Sequence, residues 1–358
     1  MPIPDTRVRT RSLRFHGPGD VRLDEAAERA LAPDEVRIRP LAVGVCGTDA
    51  HIVAGSFAAE PGVVLGHEVC GRVVEIGAGV DNANAPRVGD LVTVEPHRYC
   101  TACTWCRAGQ EHLCAGKRGY GVRLDGGMAE SMVVPARIAY VLPPDTIPWV
   151  GALCEPVACC VHAVDRLGIV AGEALLVLGS GPAGAVLTAL GRLLGATPIV
   201  AADTREGRRD LALRMGADVA IDPRDPDQVR EAIDLTGGEG YPAVVDAVGS
   251  SAVLEQAITL ARRGGRVLEF GVASPDDIAA VRPHDLFSRE LTLLGSVINP
   301  WTHQRAVALL PRLGLDRLTT AFYGLHEFDE ALAAQRRGDV DKVFVAPAGA
   351  AAAGEPDR

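Results

Sequence analysis

Residues 172–196 read GEALLVLGSGPAGAVLTALGRLLGA, and their pattern decides the fold. An apolar run, a glycine turn and an apolar-faced helical stretch follow one another without a gap. Gly179, Gly181 and Gly184 place G-x-G-x-x-G between the predicted strand and the predicted helix. Glycine permits the tight turn and lets a pyrophosphate approach the helix N-terminus, where free N–H groups and the dipole favour anions. The next apolar stretch, PIVAAD, ends in Asp203, 19 residues beyond Gly184. A carboxylate there accepts hydrogen bonds from the ribose hydroxyls of an adenosine. Further strands are expected at 217–222, 243–249, 265–272 and 291–298, with helical stretches between most of them. Six strands with the fingerprint at the first make a doubly wound Rossmann sheet within an α/β protein. The competing reading is a tight turn in a nucleotide-free α/β domain.

Asp203 also bears on the nucleotide. A carboxylate at that point repels a 2′-phosphate, so NAD is favoured over NADP. Arg205, Arg208 and Arg209 pull the other way, because an arginine accommodates a phosphate.

Upstream of the sheet the texture differs. Residues 11–46 and 69–96 alternate short β-branched runs with Gly and Asp turns, as in a small barrel. The first 150 residues therefore read as mostly β, with chemistry carried on loops. The stretch 43–71, VGVCGTDAHIVAGSFAAEPGVVLGHEVCG, supplies a thiol at Cys46, a hydroxyl at Thr48, imidazoles at His51 and His67, and carboxylates at Asp49 and Glu68. Thiolate, neutral imidazole and carboxylate are the ligand types zinc accepts, and a catalytic zinc takes three of them and keeps one position open. Cys46 and His67, 21 residues apart, are two corners of such a site. A further corner is expected near GALCEPVACCVHA (151–163), where Cys154 and Glu155 are neighbours. In a helix these two point about 100° apart, so one alone can face a metal; spacing does not choose between them. Asp49 fits a role in orienting a ligand. Thr48 is placed to bond a substrate hydroxyl and His51 to relay its proton, or else to bond loop backbone or a cofactor ribose.

The run CTACTWCRAGQEHLC carries Cys100, Cys103, Cys106 and Cys114 within fifteen residues. Four thiolates so close wrap a tetrahedral ion, and a closed structural zinc site is the natural result. A redox pair or an iron–sulfur cluster shares this spacing, but no electron-transfer partner site appears elsewhere. Cys70, Cys159 and Cys160 lack ligand spacing and read as small core residues.

Composition narrows the class. The 358-residue chain is long enough for about two domains. It has a net charge of −10 and 4% aromatic residues, which together argue against a nucleic-acid surface. Only two lysines occur, Lys117 and Lys342, so Schiff-base chemistry is disfavoured. No apolar run reaches membrane-spanning length and the start has no hydrophobic leader, so no membrane partner and a cytoplasmic location are expected. After Pro300 the chain reads as two helices and a final strand, and the tail 346–358 as disordered.

CGTD-x-H (46–51), GHE-x-x-G (66–71), RVGD (87–90), C-x2-C-x2-C-x7-C (100–114), GALCEP (151–156), GSGPAG (179–184) and AAD (201–203) occur in this order. Through them the chain resembles the zinc-dependent medium-chain alcohol and polyol dehydrogenases across nearly its whole length. The resemblance implies a β-rich GroES-like catalytic domain, over 1–155 and 299–358, and a Rossmann domain over 156–298. It implies Cys46, His67 and Glu155 as catalytic zinc ligands, with Glu68 beside the metal and able to approach it. It implies two zinc ions per chain, with NAD on Gly179, Gly181, Pro182, Ala183, Gly184, Asp203, Arg208 and Val248 and on the loop around Gly271 and Val272. A homodimer or homotetramer is implied too, with the last sheet strand near an interface. The implied reaction is hydride transfer between NAD(H) and a secondary alcohol, a polyol or sugar-derived hydroxyl. A threonine-type amino alcohol, a biosynthetic ketone reduction, or a non-catalytic NAD-binding zinc scaffold are the alternatives.

Two departures bear on substrate. Similar sorbitol dehydrogenases carry an aromatic residue where this chain has Ile52, and an Arg–aromatic pair where it has Ile298–Asn299. Both polyol-facing contacts are expected to be lost. Threonine dehydrogenases share CGTD-x-HI, but AGSF (54–57) stands here in place of their Trp-containing stretch.

Overall fold

In the computed structural model, residues 8–81, 83 and 85–354 are described. The chain divides into two compact units, Met1–Glu155 with Thr319–Arg358, and Pro156–Leu318.

The first unit opens with β1 (Arg9–Gly17) and β2 (Asp20–Ala27), an antiparallel hairpin. β3 (Glu35–Gly44) is followed by helix α1 (Gly47–Ala54) and pairs antiparallel with β4 (Glu68–Ile76). β5 (Leu91–Val94) adds to β4. The cysteine loop, with the short helix α2 (Thr104–Arg107), is bracketed by the small ribbon of β6 (His97–Arg98) and β7 (Arg118–Gly119). β8 (Met132–Pro135) pairs with β3 and β9 (Ala139–Val141) with β5. α3 (Pro148–Ala152) then leads to α4 (Cys154–Leu167), which carries the chain into the second unit.

That unit alternates strand and helix: β10 (Leu175–Leu178), α5 (Pro182–Leu193), β11 (Ile199–Ala202), α6 (Glu206–Arg214) and β12 (Val219–Ile221) form its first half. α7 (Pro226–Asp234), β13 (Tyr241–Asp246), α8 (Ser251–Leu260), β14 (Ala261–Glu269), α9 (Pro283–Arg289), β15 (Thr292–Gly295) and α10 (His303–Leu309) complete it. The chain returns to the first unit as β16 (Thr320–Tyr323), α11 (Phe328–Arg337), β17 (Lys342–Val345) and α12 (Ala350–Ala353).

The second unit's sheet has the order β12-β11-β10-β13-β14-β15, and every pairing is parallel. Its central strands β10, β11 and β13 are buried apolar runs, as expected where helices cover both faces; Leu176, Leu178, Val200, Val244 and Val267 are buried among the sheet's side chains. The order reverses between β10 and β13, and ligands of such sheets bind at the carboxyl ends of the strands flanking the reversal. In the first unit the order is β16-β17-β3-β4-β5-β9, wrapped around Val36, Ile38, Val43, Val69 and Val92.

Three expectations are corrected. Residues 299–318 fall in the second unit, not with the zinc-containing one. Thr302 Oγ1 donates to Ala158 O at 2.7 Å and Arg305 pairs with Asp165, both partners lying on α4. A strand, β16, lies between the two helical stretches beyond Pro300; TAFY is too short to carry an alternation signal. The tail is ordered up to Gly354: Ala346 and Ala353 are buried, and Gly354 at φ +85° caps α12. Residues 355–358 lie outside the described residues.

Candidate active site and metal centres

The cluster centred on Cys46 is built by backbone turns that leave no choice of residue at several points. Cys46 precedes α1, and its N–H donates to Asp49 Oδ2 at 2.9 Å, which fixes the thiol at the helix entrance. His67 stands just before β4, behind Gly66 at φ +90°, a conformation that favours glycine. A Cβ on Gly66 would also lie 2.6 Å from Met128 Cγ. Glu68 opens β4 opposite Gly44 of β3, where a Cβ would lie 1.9 Å from Glu68 Oε2. Cys46, His67 and Glu68 each bring a ligand atom within 4.8 Å of the others.

The charges around this cluster are organised to favour a cation. Asp49 is fully buried, its Oδ1 lies 3.9 Å from His67 Nδ1, and neither atom has a hydrogen-bond partner. Burial pushes the Asp49 carboxyl above its usual range. Burial also works against protonation of His67, yet the bond to Cys46 and the charges of Cys46, Asp49 and Glu155 outweigh it and raise the imidazole well above its ordinary value. The same negative potential that would hold a proton there suits a metal, and a thiolate–imidazole–carboxylate donor set with unpartnered buried atoms fits zinc.

Lys342 is the residue the sequence reading missed. It reaches Glu68 from β17 with Nζ–Oε distances of 2.6 and 2.8 Å, both side chains being almost fully buried. Burial favours the neutral amine, but Glu68, Cys46 and Asp49 together keep the ammonium above its ordinary pKa. The available signal was one of only two lysines in an otherwise arginine-based chain, set at the start of an apolar strand.

Glu155, the implied further ligand, is not among the groups within 4.8 Å. It sits buried in the first turn of α4, near enough for its charge to act on His67. Its neighbour Cys154 is fully buried, and burial holds its thiol well above the usual range, which suits a core residue and not a thiolate ligand. Thr48 Oγ1 lies 3.8 Å from Cys46 Sγ. His51 is exposed, and its Nδ1 is 3.0 Å from Ser56 Oγ, a second partner the sequence did not announce. Ile52 is fully buried and Asn299 likewise, so neither side chain reaches a surface.

The second candidate metal centre is the cysteine loop. Cys100, Cys103, Cys106 and Cys114 all lie within 4.8 Å of one another, with Cys103–Cys106 at 3.6 Å and Cys100–Cys106 at 3.9 Å. All are free thiols. Backbone N–H groups of Ala102 and Cys103 and the neighbouring thiols lower Cys100 to about 6, while burial and the other thiols push Cys106 to about 12. Thr101 adopts φ +60° to bring the loop round. The short helix α2 orders one stretch of the loop, and a tetrahedral ion fits the role of joining its four thiols.

In the second unit the fingerprint sits where the sequence placed it, between β10 and α5. Gly179 has φ +92°, and a Cβ there would meet Val248 Cγ2 at 2.5 Å. A Cβ on Gly184 would lie 1.9 Å from Gly179 O, so this glycine serves the close strand–helix contact. Gly181 meets nothing within 4 Å, which leaves open space at the helix N-terminus, with Pro182 at the first helical turn and Ala183 behind it. Asp203 follows β11; its Oδ2 accepts from Ser180 N and its Oδ1 from Arg205 N, both at 2.9 Å. Ser180, unmarked in the sequence reading, is thus the link between glycine loop and acidic residue. Arg208 is half-buried on α6. Val248 and Val272 are exposed beside each other's loops, because a Cβ on Gly249 would touch Val272 N at 2.4 Å.

Comparison with known proteins follows the same division. The family model for the alcohol dehydrogenase GroES-like domain matches residues 32–144, and that for zinc-binding dehydrogenases matches 182–313. L-threonine 3-dehydrogenase of Pyrococcus horikoshii is 34% identical over 87% of this chain and 90% of its own length. D-arabinitol dehydrogenase 1 of Uromyces fabae is 31% identical over 94% and 97% respectively. Among solved structures, a zinc-binding dehydrogenase of Sinorhizobium meliloti bound to NADP superposes with a TM-score of 0.90 at 34% identity, covering 95% of this chain and all of that one.

Proposed function

This chain belongs to the zinc-dependent medium-chain alcohol dehydrogenase family, and from that premise we propose that it moves hydride between NAD and a secondary alcohol of the polyol or sugar-derived class. The observation that carries the reading is the convergence of Cys46, His67 and Glu68 in a partly buried, negatively biased cluster. Cys46 and His67, with Glu68 or Glu155 as the carboxylate, would hold the catalytic zinc. When bound, zinc supplies the Lewis acidity that favours loss of the alcohol proton, and the nicotinamide supplies the hydride acceptor. Thr48, beside Cys46, would bond the substrate hydroxyl and take up its proton's hydrogen bond. His51, exposed and bonded to Ser56, would pass that proton to solvent. Cys100, Cys103, Cys106 and Cys114 would hold a second, structural zinc. Lys342 holds the Glu68 carboxyl in place through a buried ion pair at 2.6 Å.

NAD is preferred here because Asp203 occupies the end of β11 with both oxygens already accepting backbone N–H groups, a rigid carboxylate facing any 2′-phosphate. A related structure holds NADP, so the two cofactors belong in one experiment. The amino-alcohol reading rests on the threonine dehydrogenase relative. We also infer a homo-oligomer.

The test is initial-rate assay of the purified chain with NAD and with NADP against polyols, L-threonine and simple secondary alcohols. Turnover on polyols with NAD supports the proposal, and turnover on threonine alone replaces it with the amino-alcohol reading. Cys46→Ser is expected to lose turnover while NADH still binds; full activity in that variant would overturn the metal assignment.

A further inference from the structure

At the carboxyl ends of β13 and β14 two acids face each other with nothing between them. Asp246 and Glu269 are direct register partners of these parallel strands. Asp246 is fully buried. Its Oδ1 accepts from Val248 N at 2.8 Å and Gly249 N at 3.0 Å, but its Oδ2 has no partner. Both carboxyl oxygens of Glu269 are likewise buried without a partner, and Asp246 lies within their hydrogen-bonding reach.

The surroundings offer no counter-charge. On the far side of Glu269, β15 presents Gly295 in register, followed by Ser296, whose buried Oγ has no partner. On the far side of Asp246, β10 presents Leu178. Among the described residues no arginine, lysine or histidine pairs with either acid. Three acceptor oxygens out of contact with water cannot satisfy one another as two carboxylates; one proton between them satisfies both groups.

What the pair holds is the loop system after the two strands. Asp246 fixes the Val248–Gly249 turn through its side chain, and its main-chain oxygen accepts from Phe270 N at 2.9 Å and Gly271 N at 3.0 Å. The two turns are packed backbone to backbone: a Cβ on Gly271 would lie 2.0 Å from Gly249 N. Val248 and Val272 project from them into solvent.

We propose that Asp246 and Glu269 share one proton and that this proton clasps the 246–249 and 269–272 turns in the conformation that receives the nicotinamide half of the cofactor. The pair is a positioning device; neither acid touches reacting atoms. The inference rests on the reading that Val248, Gly271 and Val272 contact the cofactor. Burial, with the charge and hydrogen bond of Asp246, raises Glu269 to about 7. Below that pH the proton is in place. Above it two adjacent carboxylates repel and the clasp loosens.

Two sets of profiles on the metal-loaded protein test this: NADH dissociation constant against pH from 6 to 9, and melting temperature of the NADH-free protein from pH 5 to 8. Each is measured for the native chain, Glu269→Gln and Asp246→Asn; in both variants an amide N–H donates permanently across the pair. Native affinity is expected to fall by roughly threefold or more from pH 6 to 9, and either variant flattens both profiles. If neither variant alters the pH dependence of melting, the shared proton is wrong. If melting responds but NADH affinity keeps the native pH dependence, the proton stands and its link to the cofactor turns is overturned. Should Asp246→Asn fail to fold, Glu269→Gln alone decides, since it leaves the Val248 and Gly249 bonds in place. Absence of NADH binding at any pH in the native chain would instead overturn the cofactor-site reading beneath the proposal.

Discussion

Lys342 and Glu68 put two opposite charges almost wholly out of water, 2.6 Å apart, at the edge of the proposed metal site. Desolvating both is expensive, and the pair survives because each is the other's chief compensation. Removing one partner leaves a buried, unpaired charge. Lys342→Met is therefore expected to cost about 3–5 kcal/mol of stability, read as a lower denaturation midpoint, whereas Lys342→Met with Glu68→Gln recovers most of it. A single variant as stable as the native chain would mean that Glu68 is compensated by something else. The acid–base logic of this site was only half legible in the sequence. Cys46 and His67 announce themselves because few residue types bind zinc. Lys342 lies 274 positions from Glu68, and no local pattern connects them. Glu155 was implied as a ligand by likeness alone, and the cluster assembles first around Glu68.

Elements were more readable than the residues between them. Six strands, one fingerprint and a terminal acid gave the parallel sheet, since its central strands β10, β11 and β13 are apolar runs buried along their whole length. TAFY at 320–323 was not readable, for it is four residues long and half-buried throughout. The glycine turn carries a sharper test of how sequence motif becomes local structure. Gly184 has no room for a side chain, while Gly181 faces open space. Gly184→Ala should destabilise the protein by about 1–3 kcal/mol, as overpacking does, and weaken NADH binding with it. Gly181→Ala should leave the melting temperature nearly unchanged and still weaken NADH binding, because its methyl group stands where the pyrophosphate approaches. Thermal denaturation and NADH titration of the two variants separate these roles. Equal losses of stability in both would show that the fingerprint is a fold requirement only.

At the scale of the whole molecule the unfinished feature is the edge of the second unit's sheet. Among the described residues, β15 pairs with β14 on one side and with no strand on the other. Leu293 on it and Val297 just beyond are partly exposed, and Phe287 on α9 is 83% exposed. An open apolar edge is a pairing template that proteins cover or blunt, and this strand, TLLG, carries neither a charge nor a proline. A second copy of the same edge is the natural cover, because a two-fold axis through β15 brings identical strands together antiparallel and buries each Phe287 and Leu293 twice over. The native chain is accordingly expected to be a dimer, or a tetramer built of such dimers. Phe287→Asp with Leu293→Asp would set like charges across the axis and should shift the light-scattering mass toward that of the 37.5 kDa monomer. Leu235→Asp, on another exposed leucine after α7, should leave the assembly intact. A native monomer, or a double variant with unchanged mass, would place the interface elsewhere and leave β15 an uncovered edge.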